Sequence, residues 1–197
     1  MLNPVFSTVS PCYRSSVGSY CERVKQMVTA KRFEHIERVT VLADTIARAN
    51  DFSESDIRAT ALAAVLHDAA RDLPPERLFD LAPPENDLEK NHPLAVHGRA
   101  GRKLAECWGV TDERVLDAIE GHVFGVAQRN RVGMAVYIAD VSEPGRGVNH
   151  DIRELAMVNL FRAYQRAIDS KVRYLRSKDK PIHPVTLSAY KEICELS

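Results

Sequence analysis

The stretch TALAAVLHDAARDLPPERL, residues 60–78, sets a histidine and an aspartate side by side, His67 and Asp68, in an alanine-rich apolar run, with Arg71 one turn on. Burying such a pair is costly unless each group is hydrogen-bonded, ion-paired or bound to a metal. Other histidines stand in similar places. His35 falls in RFEHIERVTVLADTIARAN in register with Val39, Leu42 and Ile46, so it points the same way as an apolar stripe. His97, His122 and Asp140 likewise lie in, or at the ends of, apolar helical segments. A single histidine on an apolar face is more often a satisfied core residue, but four histidines and two aspartates, His35, His67, Asp68, His97, His122 and Asp140, spread over five segments resemble the donor set of a metal centre built from inward-facing side chains of several helices. Neighbouring residues of a helix diverge by about 100°. His67 and Asp68 therefore reach one ion only if it lies against the helix between them and other segments complete its coordination. His92, His150 and His183 have Pro- or Asn-flanked contexts and read as surface or turn residues; Asp44 and Asp56 read as solvated helix faces.

These side chains need a scaffold, and the pattern supplies helices. Residues 1–18, rich in Ser, Pro and Tyr, read as an irregular tail, followed by one domain over 19–197. Ser19 is placed to cap a helix through YCERVKQMVTA. SESDIRATALAAVLHDAARDL opens on a serine cap at Ser53 or Ser55, with Glu54 and Asp56 where a helix N-terminus favours negative charge. Its small residues allow close neighbours, which makes it the central helix, and Pro74 and Pro75 end it. PPERLFDLAPPENDLEKNHP reads as a short helix and a proline-punctuated loop. LAVHGRAGRKLAECWG, TDERVLDAIEGHVFG capped at Thr111, and GMAVYIADVSEP follow as helices. IRELAMVNLFRAYQRAIDSKVRYLRSK reads as one long amphipathic helix whose stripe could face the core or a second copy, and PVTLSAYKEICEL as the last. Hardly any segment alternates with period two, so the fold class is all-α, a helical bundle with the site at its centre.

Composition excludes several classes. At 197 residues, 45% hydrophobic and 27% charged, the chain fits one globular domain rather than a disordered one. Its 27 basic and 27 acidic residues balance to a net charge of +0, and no basic stripe interleaved with aromatics advertises nucleic acid. Four cysteines without a C-x-x-C pair suggest neither a zinc ribbon nor a disulfide framework. No run approaches the roughly 20 apolar residues of a membrane span, and MLNPVFSTVSPCYRSSVGSY lacks the pattern of a secretory signal. A cytoplasmic protein is expected.

Taken in order, His35, His67-Asp68 and Asp140 form the H…HD…D signature, in which the chain resembles the HD-domain metal-dependent phosphohydrolases. Within them it is similar to the YqeK family of bacterial symmetrical bis(5'-nucleosyl)-tetraphosphatases. The resemblance rests on KRFEH, LHDAARDLPPERL, PLAVHGRAG, IEGHVFG, IADVSEPGR and KPIHPVTLSA, and covers roughly residues 20–192. It implies that His35, His67, Asp68 and Asp140 hold one ion and His97 and His122 a second, with Asp68 bridging. It also implies a di-iron centre; the ligand types alone suit iron, manganese, cobalt or zinc.

A metal-bound water of lowered pKa could then supply hydroxide to attack a phosphoanhydride, two ions clamping the displacement. Asp68 and Arg71 are expected in the reaction itself. Arg32, Arg71 and Arg146 beside the ligand motifs could bind phosphate oxygens, and Glu143, expected with them among the substrate-binding residues, matches an acidic family position that could bind or orient a metal-bound water or serve in a salt bridge. Arg71 stands where relatives usually carry lysine; GRGVNHDIREL and Tyr190 also depart from the family pattern, at positions that concern the nucleoside end. The expected activity is cleavage of diadenosine tetraphosphate, a dinucleoside polyphosphate, into two ADP, with a homodimer possible. The alternatives are an HD phosphohydrolase acting on another nucleotide, such as a nucleoside monophosphate, and a non-catalytic metal-binding helical protein.

Overall fold

Short polar side chains start the helices, because a side-chain oxygen can take up an amide that the first turn leaves unpaired. Thr29 accepts from Arg32 N at the head of the helix Ala30–Ala49, and Ser53 from Asp56 N at the head of Glu54–Leu66. Asp112, Asn130 and Asn159 do the same for Glu113–Gly121, Arg131–Ser142 and Leu160–Ser177. The cap of Glu113–Gly121 is thus Asp112, not Thr111.

The computed structural model describes residues 11–127 and 130–195, and among these every regular element is helical. In chain order they are α1 (Pro11–Met27), α2 (Ala30–Ala49), α3 (Glu54–Leu66), α4 (Pro75–Leu81), α5 (Asp87–Asn91), α6 (His97–Cys107), α7 (Glu113–Gly121), α8 (Arg131–Ser142), α9 (His150–Ala156), α10 (Leu160–Ser177) and α11 (Pro184–Glu195), with 3₁₀ turns at Pro93–Val96 and Pro144–Arg146. None of them is long and apolar enough to cross a membrane.

Two helices form the middle. In α3 everything from Ala59 to Leu66 except Leu62 is buried, and in α8 everything from Val132 to Ala139. A helix apolar all round belongs inside a bundle, and these two pack on each other with α1, α2, α7, α9 and α10 around them. The reading of residues 53–73 as a central helix holds, with a changed end. The α-helix stops at Leu66, and the chain continues in tight turns with i to i+3 bonds, Ala69 N to Leu66 O at 3.0 Å and Arg71 N to Asp68 O at 2.9 Å. His67 and Asp68 therefore lead a narrower coil, and the prolines at 74 and 75 come after the turn rather than ending the helix. Asp72 anchors this coil to the start of α2, accepting from Thr29 N at 2.8 Å and Thr29 Oγ1 at 2.9 Å.

Three expectations need correction. The irregular tail was drawn to residue 18, but α1 begins at Pro11, and Ser19 lies inside it; residues 1–10 are outside the described residues. Val17, Cys21 and Val24 recur at helical spacing and are buried against the core, and such burial overrides a weak local propensity. The long helix of residues 152–178 is two, α9 and α10. Asn159 caps the second, and Asn50 clamps the break, donating to Ala156 O at 2.8 Å and accepting from Leu160 N at 3.0 Å. The stripe of α10, including Leu160, Tyr164, Ile168 and Val172, is buried within the chain. Finally, His183 is buried rather than at the surface. Its Nε2 lies 3.0 Å from Glu89 Oε1, and its ring stacks on Phe124 with centroids 3.6 Å apart. His92 and His150 are exposed, as expected.

Two glycines bring the site's elements together. A Cβ on Gly98 would stand 2.5 Å from Glu120 O, so only glycine lets α6 approach α7 closely enough to set His97 against His122. Gly125, at φ +125°, turns the chain after His122 in a conformation that side chains resist. The Tyr164 hydroxyl fixes that turn, accepting from Val126 N at 2.8 Å and donating to Val126 O at 2.7 Å. Cys21, Cys107 and Cys194 are free thiols.

Candidate metal centre

All six expected ligands converge. Asp68 is 3% exposed and stands between two groups of imidazoles. Its Oδ2 lies 3.5 Å from His67 Nε2 and 3.8 Å from His35 Nε2; its Oδ1 lies 3.2 Å from His97 Nε2 and 3.5 Å from His122 Nε2. Asp140 completes the first group, with Oδ1 3.0 Å from His35 Nε2 and 3.9 Å from His67 Nε2. Within this cluster His35, His67 and Asp140 on one side, and His67, Asp68 and His122 on the other, each present ligand atoms within 4.8 Å of one another.

The proton positions follow from the partners. His67 Nδ1 faces Ala64 O at 2.7 Å, His122 Nδ1 faces Ile119 O at 2.6 Å, and His97 Nδ1 faces Leu94 O. A carbonyl only accepts, so each Nδ1 carries the proton and each Nε2 presents a lone pair inward. One local device makes all three: each histidine bonds the carbonyl three residues back, at the end of a helical turn. The consequence is a crowd of inward lone pairs. His97 Nε2 and His122 Nε2 stand 3.0 Å apart, and the fully buried His67 Nε2 finds no hydrogen-bond partner. Facing lone pairs repel, and an orphaned buried acceptor is rare. Both features fit a cation held between them, as in sites where a backbone carbonyl fixes the ligand tautomer.

Electrostatics agree. Burial raises the Asp68 carboxyl, but the imidazoles of His67, His122 and His97 around it outweigh that and hold the group well below its usual range. Asp140 is also held low, burial being opposed by His35, His67 and Arg146. Burial pushes His122 down, keeping it neutral, while at His67 burial is overcome by Asp68 and Asp140, which raise it. Two ionised carboxylates beside imidazole donors suit a divalent cation, which would displace the proton that Asp68 and Asp140 draw toward His67.

The HD domain family matches residues 32–145, a span that contains every residue of this cluster. The chain belongs to the HD-domain family. A symmetrical bis(5'-nucleosyl)-tetraphosphatase of Bacillus subtilis (strain 168) is 32% identical over 174 residues, which cover 85% of this chain and 91% of that one. A probable nicotinate-nucleotide adenylyltransferase/Ap4A hydrolase of Mycoplasma genitalium is 34% identical over 152 residues, 72% of this chain but 42% of that longer one. Among solved structures, a predicted HD superfamily hydrolase involved in NAD metabolism from Clostridium acetobutylicum superimposes with a TM-score of 0.82 at 26% identity, over 91% of this chain and 97% of that one. HD-domain hydrolases bind divalent metals, and the cluster described above is a group of side chains in this chain that could hold one.

The HD cluster opens into a cavity of about 790 Å³ lined by Asp68, His97, His122 and Asp140 together with Arg32, Arg71 and Arg146. The three arginines expected to meet substrate thus share its wall. Arg32 Nη1 donates to Asp68 Oδ2 at 2.9 Å, and Arg146 donates to both the carbonyl and a carboxylate oxygen of Asp140. Arg71 forms no ion pair with a described residue and is half-buried.

Glu143 lies elsewhere. It is 1% exposed, behind His35, and accepts from His35 Nδ1 at 3.1 Å, from Arg38 Nε at 2.7 Å and from Gly145 N at 2.6 Å. With those bonds made it is set against the His35 ring and does not line the cavity, in contrast to its expected place among the substrate contacts. Arg38, one turn after His35, escaped the sequence reading; its spacing of three placed it on the ligand's own face. Glu143→Gln is expected to leave the helical fold intact and weaken metal affinity by about ten- to a hundredfold, measured by competition with a calibrated chelator. An affinity equal to the parent's would show that His35 does not depend on this carboxylate.

Lys171 also escaped it. This residue of α10 lines the same cavity, donates from Nζ to Val123 O, and lies 5.8 Å from the Phe124 ring centroid and 5.6 Å from that of Tyr137. Burial pulls its ammonium down to about 8, against an upward pull from Asp140.

Proposed function

We propose that this protein is a metal-dependent phosphohydrolase that cleaves diadenosine tetraphosphate symmetrically into two ADP. The observation that carries the reading is the two-sided ligand cluster around Asp68 at the floor of an arginine-lined cavity. His35, His67, Asp68 and Asp140 would hold one divalent ion, and His97 and His122 a second, with the two oxygens of Asp68 facing one group each. Iron is the metal that the family resemblance favours, and manganese, cobalt or zinc suit the same donors. When bound, such ions lower the pKa of coordinated water and neutralise charge on phosphate oxygens.

The chain's own residues do the rest. A tetraphosphate brings several negative charges into the cavity, and Arg32, Arg71 and Arg146 offer planar, bidentate donors to its non-bridging oxygens. Arg71, free of carboxylate partners among the described residues, is the arginine best placed to follow charge as it develops on the leaving diphosphate. The oxygen of water, its protons passing to solvent, forms a bond to the second phosphorus while the bond from that phosphorus to the central bridging oxygen breaks. ADP leaves with the bridging oxygen, and the attacked half becomes the second ADP.

The test is the product pattern from diadenosine tetraphosphate given to anaerobically purified, iron-loaded protein and separated by chromatography. ADP alone is expected. ATP with AMP would mean that attack falls elsewhere on the phosphate chain, and metal retained without turnover would direct the search to other nucleotides.

A further inference from the structure

A cation inside a protein ordinarily stands beside an anion, because its desolvation is otherwise uncompensated. Lys171 does not follow this rule. Its side chain enters the cavity from α10 on the face shared by Ala167, Ser170 and Tyr174, and no described carboxylate forms an ion pair with it. Its protein partners are the carbonyl of Val123 and the faces of Phe124 and Tyr137. Each of them belongs to a segment that bears a ligand: Val123 follows His122, Phe124 comes next, and Tyr137 lies three residues before Asp140. The ammonium is therefore held against the two ligand-bearing segments, on the wall formed by α10, whereas Arg32 and Arg71 reach the cavity from α2 and from the turn after α3.

We propose that Lys171 is a substrate-binding residue, its ammonium donating to a non-bridging phosphate oxygen of the polyphosphate. The assignment rests on the cavity being the phosphohydrolase site proposed above. An ammonium has three donors; the carbonyl of Val123 takes one and fixes the direction of the others, and the aromatic faces hold the stem without neutralising the charge. The Asp140 carboxylate attracts the ammonium without forming an ion pair with it; phosphate chemistry supplies what is missing at contact distance, an anion with several acceptor oxygens. Because Lys171 comes from the α10 wall, a polyphosphate gripped there and by the arginines is held from more than one wall of the cavity. That grip favours ligands with more than one phosphate.

The experiment compares parent, Lys171→Met and Lys171→Arg proteins, each loaded with the same metal. ADP binding is measured by calorimetry, and KM and kcat are measured on diadenosine tetraphosphate. In Lys171→Met, ADP affinity is expected to fall and KM to rise by about ten- to a hundredfold, the loss of one charge-assisted hydrogen bond, with metal content unchanged. Lys171→Arg, which keeps the charge, should recover most of both. Equal ADP affinity and KM in parent and Lys171→Met would overturn the assignment. Loss of bound metal or of helical signal in Lys171→Met would overturn it too, because Lys171 would then be supporting the ligands instead of meeting substrate. If the parent binds ADP through Lys171 but leaves diadenosine tetraphosphate intact, the proposed activity fails and the phosphate contact stands.

Discussion

Asp68→Ala should reduce hydrolysis by roughly a thousandfold or more, equivalent to about 4 kcal/mol of lost transition-state stabilisation, and should strip metal from both halves of the cluster. The reason is geometric. Asp68 alone turns an oxygen toward each group, Oδ2 at 3.5 Å from His67 and Oδ1 at 3.2 Å from His97. Without it the inward lone pairs of His67, His97 and His122 face one another with no shared anion, and Arg32 loses its carboxylate. Asp68→Asn separates charge from shape: it keeps the side chain's size and should still lose most of the metal, since two neutral amide atoms cannot replace a bridging carboxylate. Metal per chain by elemental analysis and turnover on diadenosine tetraphosphate are the two readouts. Turnover within about tenfold of the parent would mean that the chemistry occurs elsewhere.

The second large effect separates the two halves. His97→Ala and His122→Ala should each lower bound metal from about two ions per chain to about one, and slow hydrolysis by about a hundredfold or more, the loss of one side of a two-metal clamp. His35, His67 and Asp140 come from α2, from the turn after α3 and from α8, while His97 and His122 sit on α6 and just after α7. The first group therefore keeps its scaffold when the second loses a ring. His35→Ala is the reciprocal control and should release the other ion. Simultaneous loss of both ions from a His97→Ala protein that remains helical would contradict a divided cluster.

Much of this site was legible from residue types and spacing. His35 stood in an apolar stripe, and the His67-Asp68 pair stood in an alanine-rich run where it needed compensation. All six expected ligands lie in the cluster. The all-helical class was legible too, because 3.6-residue periodicity survives in a single sequence. Helix ends were less so. The coil that carries His67 and Asp68 is a set of i to i+3 turns that continues the same apolar pattern, so the spacing alone could not mark Leu66 as the last helical residue.

The sequence by itself determined the candidate donor residues, the all-helical class and the family resemblance that the HD match bears out. Only the tertiary structure decided the partners. Glu143 reaches His35 from 108 residues away and is taken up in orienting it; Asn50 breaks the helix near residue 158 from 110 positions upstream of the amide it caps; His183 meets Glu89 across 94 residues; and Lys171 arrives over Val123 from 48 residues downstream. Periodicity states which face of a helix is apolar, but a contact between distant segments depends on how those faces pack, and local spacing carries no record of that.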